Sequence, residues 1–280
     1  LGHDETGHRQ QSLDIGVNHR LPVVEVALVF GLQSESQSGN RDLENGWKLA
    51  DELGMPIIDE HYYEPNTYFL NKRQYDSYPR NRKTKVYLGE YASKDKKLID
   101  ALAEGLYLLH VERNGDVVCM TSYAPLFARK NATNWNPDLI YFDNERPYLT
   151  CSYYVQQMFG QSAGQYYYGN CVRFEGDDAK VVQPQEGVHY GQSVVLNVKT
   201  RQLFVKLCNA SADAKKATIN LSRFKSMKPT AVKTTLCGNP NDENNFDQQS
   251  ISPKTETIKA SNKFTADLQP YSMVMYTFSL

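Results

Sequence analysis

Hydrophobic and polar positions alternate through Lys85–Ser93 (KVYLGEYAS), a pattern typical of a buried strand. Val86 and Leu88 are apolar, and Glu90 follows them at the same two-residue spacing. Gly89 has no side chain, so another group can approach the backbone closely at that point. The pattern therefore predicts a strand that delivers one carboxylate at its C-terminal end.

A second strand is predicted over Met55–Tyr63 (MPIIDEHYY). Side chains two residues apart lie on the same face of a strand, so His61 and Tyr63 point to one side. Asp59 shares that face one layer deeper, where a structural hydrogen bond is the expected role. Glu60 alternates away from it, and we expect Glu60 to face the helix layer or to pair with a base. Two adjacent strand ends thus offer a carboxylate, an imidazole and a phenol.

Helical periodicity separates these strands. Apolar residues recur at helical spacing over residues 41–53, and four leucines within residues 98–109 form the stripe of another helix. The β-branched run Val23–Gly31 predicts a further strand, and Pro137–Asn144 predicts the last one of this part. Residues 64–84, rich in Tyr, Asn and Arg, are long enough to roof a site. Strands and helices in this order predict a βα repeat with parallel strands.

The pattern changes after the last predicted helix, Tyr148–Phe159. Short alternating runs such as SVVLNV, QLFVKLC and YSMVMYTFS follow, separated by clusters of Gly, Pro, Asn and Asp. This spacing is typical of an antiparallel sandwich. We therefore divide the chain into an α/β part over residues 21–162 and an all-β part over residues 163–280, preceded by residues 1–20, which we expect to form a poorly ordered arm.

Composition narrows the classes of function. The chain has 280 residues, 40% of them hydrophobic, which is enough for a substantial core. Its formal net charge of -1 provides no electrostatic footprint for nucleic acid or an anionic membrane surface, whereas a neutral sugar fits this balance. No apolar run approaches the roughly 18 residues of a membrane span. The five cysteines lack CxxC spacing, so we expect buried or partly buried free thiols and no zinc site.

Four segments resemble, in the right order, the second half of an α-L-arabinofuranosidase of glycoside hydrolase family 51. They are WKLADELGMPIIDEHYYEP, YDSYPRNRKTKVYLGEYAS, VVCMTSYAPLFA and WNPDLIYFDNERPYLTCSYYVQQMF. The resemblance runs from about Asn40 to the C-terminus and implies a (β/α)8 barrel followed by a C-terminal β domain. Since a full barrel takes about 250 residues, we expect an α/β plus all-β chain: a partial (β/α)8 TIM barrel with about its last four strands, then an antiparallel β-sandwich.

The resemblance also implies roles for individual residues. Glu90 corresponds to the family's catalytic nucleophile, and His61 and Tyr63 correspond to residues that line the sugar subsite. The family's acid/base glutamate follows an Asn on an earlier strand, and no such pair precedes His61 on a candidate strand, so we expect this chain to lack it. Two further candidates come from position alone: Trp135 as a platform for a sugar ring or a core Trp, and Asn144 as a substrate donor or a turn former.

The implied activity is retaining hydrolysis that releases terminal α-L-arabinofuranosyl residues from arabinose-containing oligo- or polysaccharides, with no metal or organic cofactor. Two alternatives stay open: a non-catalytic carbohydrate-binding or structural protein derived from that family, and a related barrel glycosidase such as an endoglucanase or xylosidase. The missing N-terminal half of the barrel and a second copy of the chain are the candidate protein partners. The compartment also stays open, with an extracellular or periplasmic location favoured.

Overall fold

The described residues form four helices, and their strands pair into four sheets. The computed structural model describes residues 11–12, 32–33, 39–177 and 185–280. The helices are α1 Gly39–Leu53, α2 Asn66–Asn71, α3 Leu98–Arg113 and α4 Cys151–Gly160. The strands are β1 Gln11–Ser12, β2 Leu32–Gln33, β3 Ile57–Glu64, β4 Lys85–Ser93, β5 Val118–Thr121, β6 Phe127–Arg129, β7 Ile140–Phe142, β8 Pro147–Leu149, β9 Tyr166–Tyr167, β10 Val172–Phe174, β11 Tyr190–Asn197, β12 Gln202–Asn209, β13 Lys215–Asn220, β14 Thr230–Cys237, β15 Lys254–Lys259, β16 Lys263–Leu268 and β17 Ser272–Ser279.

A four-stranded parallel sheet carries both predicted site strands, β3 and β4, next to each other. Its order is β2, β3, β4, β5, and α1, α2 and α3 connect successive strands. Helix α1 ends where the chain reaches Gly54, whose φ of 62° takes the left-handed conformation that glycine adopts without strain. The strand predicted at Val23–Gly31 lies outside the described residues.

The prediction that Pro137–Asn144 supplies the last strand of this sheet is wrong. The fourth place in that sheet belongs to β5, which pairs with β4 in parallel. Strand β7 instead pairs with β6 and β8 in a separate three-stranded sheet. One face of this small sheet, with Tyr141 and Tyr148 stacked 4.8 Å apart, packs against Phe246 from the C-terminal part, so a local core holds it.

The prediction that residues 64–84 roof the site is also wrong. The segment folds into α2 and a short 3-10 turn at Gln74–Asp76, and it buries Phe69 and Tyr75 completely. The guanidinium of Arg73 donates to backbone carbonyls at the end of α2, which satisfies oxygens that have no partner within the helix. Because these apolar side chains are buried, the segment packs against α3 and forms part of the core.

Helix α3 is buried on all sides, although the sequence predicts a single apolar stripe. Fourteen of its 16 residues are buried, because β4 packs on one side and strands β11, β12 and β17 pack on the other. The surrounding apolar side chains form one continuous core that includes Phe204 and Met273 from the C-terminal part. The helix thus joins the two parts of the fold.

The C-terminal residues form the predicted antiparallel sandwich. A seven-stranded sheet, ordered β1-β9-β11-β12-β17-β14-β15, faces a three-stranded sheet ordered β10-β13-β16. Along β12, Leu203 and Val205 enter the core between the sheets, whereas Phe204 and Cys208 enter the core around α3. The central strands of the larger sheet therefore bury both faces, which explains their nearly continuous apolar sequence.

Of residues 1–20, which the sequence predicts to form an arm, Gln11–Ser12 pair with β9, and the others lie outside the described residues. The cysteines are free thiols, three of them buried and two partly buried, as predicted. Among the helices of the described segments, none has the length and apolarity needed to cross a membrane.

A buried ion pair links α3 to the sandwich. Lys206 of β12 lies on the α3 face, and its Nζ is 2.5 Å from Oε1 of Glu112, whose Oε2 accepts a hydrogen bond from Ser193. The Lys206 side chain is fully buried and that of Glu112 is 9% exposed. Burial lowers the pKa of Lys206, and the neighbouring carboxylate acts in the opposite direction.

We expect Lys206→Met to lower the free energy of unfolding by about 3–5 kcal/mol, because it leaves the Glu112 carboxylate buried without its cation while keeping most of the stem volume. The matched control is Lys233→Met, which removes one partner of the exposed Lys233–Glu256 pair and should cost under about 1 kcal/mol. Urea unfolding of both variants measures the difference. Equal effects would contradict a structural role for the buried pair.

Candidate functional site

The two faces of β3 are chemically different. Ile58, Glu60 and Tyr62 are buried on the side of the helices, whereas the alternating side chains of Asp59, His61 and Tyr63 are only partly buried. This is the alternation that the sequence predicts, and it places an imidazole and a phenol on one face at the C-terminal end of the strand. The neighbouring strand β4 supplies the carboxylate.

A bulge at Gly89 turns Glu90 toward this face. The parallel register runs from Glu60↔Leu88 directly to His61↔Glu90, so Gly89 is an extra residue on β4. The prediction that Glu90 shares the face of the buried Leu88 is therefore wrong. A Cβ atom at position 89 would lie 2.1 Å from Oδ1 of Asp59, so the predicted close approach to Gly89 is made by that carboxylate.

The Glu90 carboxylate is held at one oxygen. The Tyr63 hydroxyl donates to Oε2 at 2.7 Å, and Nδ1 of His61 lies 3.4 Å from the same atom. The Glu90 side chain is 40% exposed, compared with 13% for His61, so the carboxylate reaches solvent while its neighbours fix it. Burial and the Glu90 charge raise the pKa of Tyr63, which keeps the phenol protonated as a donor.

Asp59 lies on the other side of the imidazole. Its Oδ2 is 2.9 Å from Nε2 of His61, as expected for the structural hydrogen bond assigned to it from the sequence. This hydrogen bond is the largest influence on the pKa of His61, which is raised although burial opposes the rise; the charges of Asp59 and Glu90 add to it. His61 therefore bridges two carboxylates.

Of the two positional candidates, Trp135 lies at the site. Its ring contacts that of Tyr63 edge-on at 5.0 Å and its residue is 45% exposed, so it is not a core Trp. Asn144 lies in the turn between β7 and β8 and accepts a hydrogen bond from Arg129. Asp138 was missed: it is close enough to Tyr63 for its charge to raise that phenol's pKa, but no sequence pattern marks it.

A partly exposed carboxylate with one oxygen fixed and an aromatic ring nearby can act on a neutral, ring-shaped substrate. Within the residues that the structure describes, no three His, Cys, Asp or Glu side chains form a group suited to a metal ion.

Comparison with known proteins identifies the family. The family model for the α-L-arabinofuranosidase C-terminal domain matches residues 76–272. The chain belongs to this family. The curated relatives include an extracellular exo-α-L-arabinofuranosidase of Streptomyces chartreusis, 40% identical over 46% of this chain and 16% of the relative. A probable α-L-arabinofuranosidase A of Aspergillus flavus is 30% identical over 77% of this chain and 33% of the relative.

Solved structures agree with this assignment to the arabinofuranosidase family. An arabinose-bound α-L-arabinofuranosidase of glycoside hydrolase family 51 superposes with a TM-score of 0.72 at 26% identity, over 80% of this chain and 37% of that one. The predicted resemblance to the C-terminal portion of this family is thus confirmed. The chain spans about a third or less of the length of the curated relatives given above.

In the present chain, the side chains on the buried face of β3 are organised around Glu60. The Glu60 carboxylate is fully buried and accepts hydrogen bonds from four aromatic side chains. The donors are Tyr62 at 2.8 Å, Tyr78 at 2.8 Å, Trp47 at 3.1 Å and Tyr75 at 3.2 Å. The prediction that Glu60 faces the helix layer is confirmed, and aromatic donors take the place of the base.

Burial raises the pKa of Glu60, with the four hydrogen bonds acting in the opposite direction. A raised folded-state pKa means that the associated stability is present below the unfolded value of 4.5 and is lost as pH rises through the folded value. We expect Glu60→Gln to remove this dependence, so that its free energy of unfolding falls less than that of the wild type as pH rises from 4.5.

Glu60→Leu is the informative partner for Glu60→Gln. Leucine leaves the indole and phenol donors without an acceptor, whereas glutamine retains one carbonyl oxygen, so we expect leucine to cost about 2 kcal/mol more. Urea unfolding of the wild type and both variants across pH measures both effects. Equal stability of the two variants would show that the donors need no acceptor.

Proposed function

We propose that this chain carries the nucleophile side of a retaining α-L-arabinofuranosidase site, with Glu90 as the nucleophile. The observation that carries the proposal is the pair of contacts from Tyr63 and His61 to Oε2 of a carboxylate that is 40% exposed. Within the described residues both contacts fall on Oε2, so Oε1 is the oxygen oriented for attack. The relatives' names and the arabinose-bound neighbour support an arabinose-containing oligo- or polysaccharide as substrate.

In the proposed reaction, Oε1 of Glu90 attacks the anomeric carbon while a general acid protonates the leaving oxygen. The bond to the leaving group breaks, and a glycosyl ester forms on Glu90. Water then attacks the same carbon, assisted by the acid residue now acting as base, and releases the sugar with its original anomeric configuration. Tyr63 and His61 bind the Glu90 carboxylate throughout, and Trp135 offers an aromatic surface beside the sugar.

The proposed reaction also needs a general acid to protonate the leaving group. Retaining glycosidases place two carboxyl groups about 5–5.5 Å apart across the scissile bond. Asp59 is held by His61 behind the site, and Glu60 lies on the opposite face of β3. Neither side chain is positioned to protonate a leaving group, so we propose that the described residues do not supply the acid/base glutamate.

The parallel sheet of this chain is compatible with part of a (β/α)8 barrel. Four parallel strands with connecting helices fit about the last four strands of a (β/α)8 barrel, and chemistry in such barrels lies at the C-terminal strand ends, where His61 and Glu90 lie. We propose residues 21–162 as this part of the barrel and residues 163–280 as the sandwich domain. The missing half of the barrel is the proposed partner, and a secreted location is proposed from the extracellular Streptomyces relative.

In the complete enzyme, we expect Glu90→Gln to reduce kcat for an aryl α-L-arabinofuranoside by several orders of magnitude, because the covalent route disappears. Asn144→Ala, in the exposed turn between β7 and β8, serves as the matched control and separates the catalytic loss from general disturbance. Mass labelling of Glu90 by a mechanism-based furanoside inhibitor would add direct evidence. Near wild-type turnover by Glu90→Gln would refute the assignment.

We expect the 280-residue chain alone to hydrolyse 4-nitrophenyl α-L-arabinofuranoside far more slowly than a complete enzyme. Loss of acid/base assistance typically costs about 10²- to 10⁴-fold, and an activated aryl leaving group is the substrate least affected by it. The assay compares the chain with its Glu90→Ala variant and includes aryl glucosides and xylosides. Robust turnover that Glu90→Ala abolishes would reveal a second catalytic carboxylate in this chain; a preference for the other glycosides would change the substrate assignment.

A further inference from the structure

The imidazole of His61 lies between two carboxylates that approach it from different strands. Oδ2 of Asp59 is 2.9 Å from Nε2, and Oε2 of Glu90 is 3.4 Å from Nδ1. A carboxylate oxygen can only accept a hydrogen bond, and a neutral imidazole can donate from only one of its nitrogens. The doubly protonated imidazolium is the form that donates to Asp59 through Nε2 and also turns a protonated, positively charged Nδ1 toward Glu90.

Space for Asp59 exists because position 89 has no side chain. A Cβ atom there would lie 2.1 Å from Oδ1 and 2.8 Å from Cγ of Asp59. The bulge at Gly89 thus performs two tasks: it turns Glu90 toward His61, and it leaves room for the carboxylate behind the ring. The Asp59 side chain is 13% exposed, and its Oδ1 is buried without a hydrogen-bond partner among the described residues.

We propose that Asp59 is a positioning residue that holds His61 as an imidazolium, so that its Nδ1–H faces Oε2 of the nucleophile Glu90. This inference rests on the proposed function of Glu90 and adds a residue to it. Asp59 touches neither substrate nor the reacting atoms in this scheme; it acts through the ring. Its charge fixes both the orientation and the protonation of His61.

The role of Asp59 is greatest after the nucleophile has reacted. Free Glu90 carries a negative charge that favours the imidazolium, but esterification of Glu90 removes that charge. Asp59 takes no part in the esterification, so its contact with Nε2 of His61 persists, and the imidazolium can stabilise the carboxylate that re-forms as the ester is hydrolysed. No proton has to enter or leave the ring between the two steps.

Among the described residues, the charged groups that act on His61 come from two strands. Asp59 faces it from β3, Glu90 faces it from β4, and Tyr63 reaches it only through Glu90. Strand β2 places Gln33, which carries no charge, opposite His61 in the register. Both charged neighbours raise the pKa of His61, and Asp59 contributes the largest effect through its hydrogen bond. Asp59→Asn keeps an oxygen that can accept from Nε2 and removes only the charge.

The test is a pH titration of the histidine side chains in the 280-residue chain by NMR, with His61→Gln used to assign the His61 resonance. We expect Asp59→Asn to move the His61 midpoint to lower pH and Glu90→Gln to move it less. His189, whose ring is near Asn71, should titrate unchanged in both variants and serves as an internal control. An unchanged His61 midpoint in Asp59→Asn, or a larger shift in Glu90→Gln than in Asp59→Asn, would overturn the proposal.

Circular dichroism and thermal unfolding establish that each variant is folded. If Asp59→Asn does not fold, Gly89→Ala provides the same test, because its methyl group displaces the Asp59 carboxylate from the imidazole. In the complete enzyme, Asp59→Asn should also move the alkaline limb of the kcat/KM profile to lower pH. The NMR titration needs no turnover, so a chain that proved not to act on arabinofuranosides would refute the proposed function and leave this inference testable by itself.

Discussion

The buried carboxylate of Glu60 fixes the strand on which the site depends. Four aromatic donors converge on it, and three of them, Trp47, Tyr75 and Tyr78, come from α1 and the segment after α2, so the strand cannot shift along its axis without breaking those three hydrogen bonds. A slip of one residue would exchange the two faces of β3 and bury His61 among phenols. The polar network therefore specifies register, and register decides which side chains of β3 reach Glu90.

The alternation of β3 could be predicted from the sequence because side chains on a strand obey a two-residue period. The rule correctly predicted that His61 and Tyr63 share one face of β3 and that Glu60 lies on the other. The same rule failed on β4, where a bulge adds a residue at Gly89 and moves Glu90 to the face opposite Leu88. Glycine permits a bulge, but the carboxylate of Asp59 that occupies the vacated space comes from another strand, and no local pattern reveals it.

Tertiary packing explains the other differences. Helix α3 carries a leucine stripe, yet it is buried all round because the sandwich covers the face that a lone βα unit would expose to water. The run containing β7 has the composition of a parallel strand, but its partners are β6 and β8, and contact with Phe246 from a distant part of the chain stabilises that choice. Trp135 reaches the site from the loop that this small sheet supports.

The sheet that carries Lys206 belongs to two cores at once, since alternate residues of β12 enter the sandwich and the layer around α3. The charge of Lys206 is matched by Glu112 on α3, the helix that follows β4. The domain boundary predicted from the sequence is consequently not a boundary in the packing. In recombination between relatives, a crossover near residue 162 would bring Glu112 from one parent together with Lys206 from the other. Helix α3 and the sandwich would therefore have to be inherited from the same parent to keep a matched ion pair.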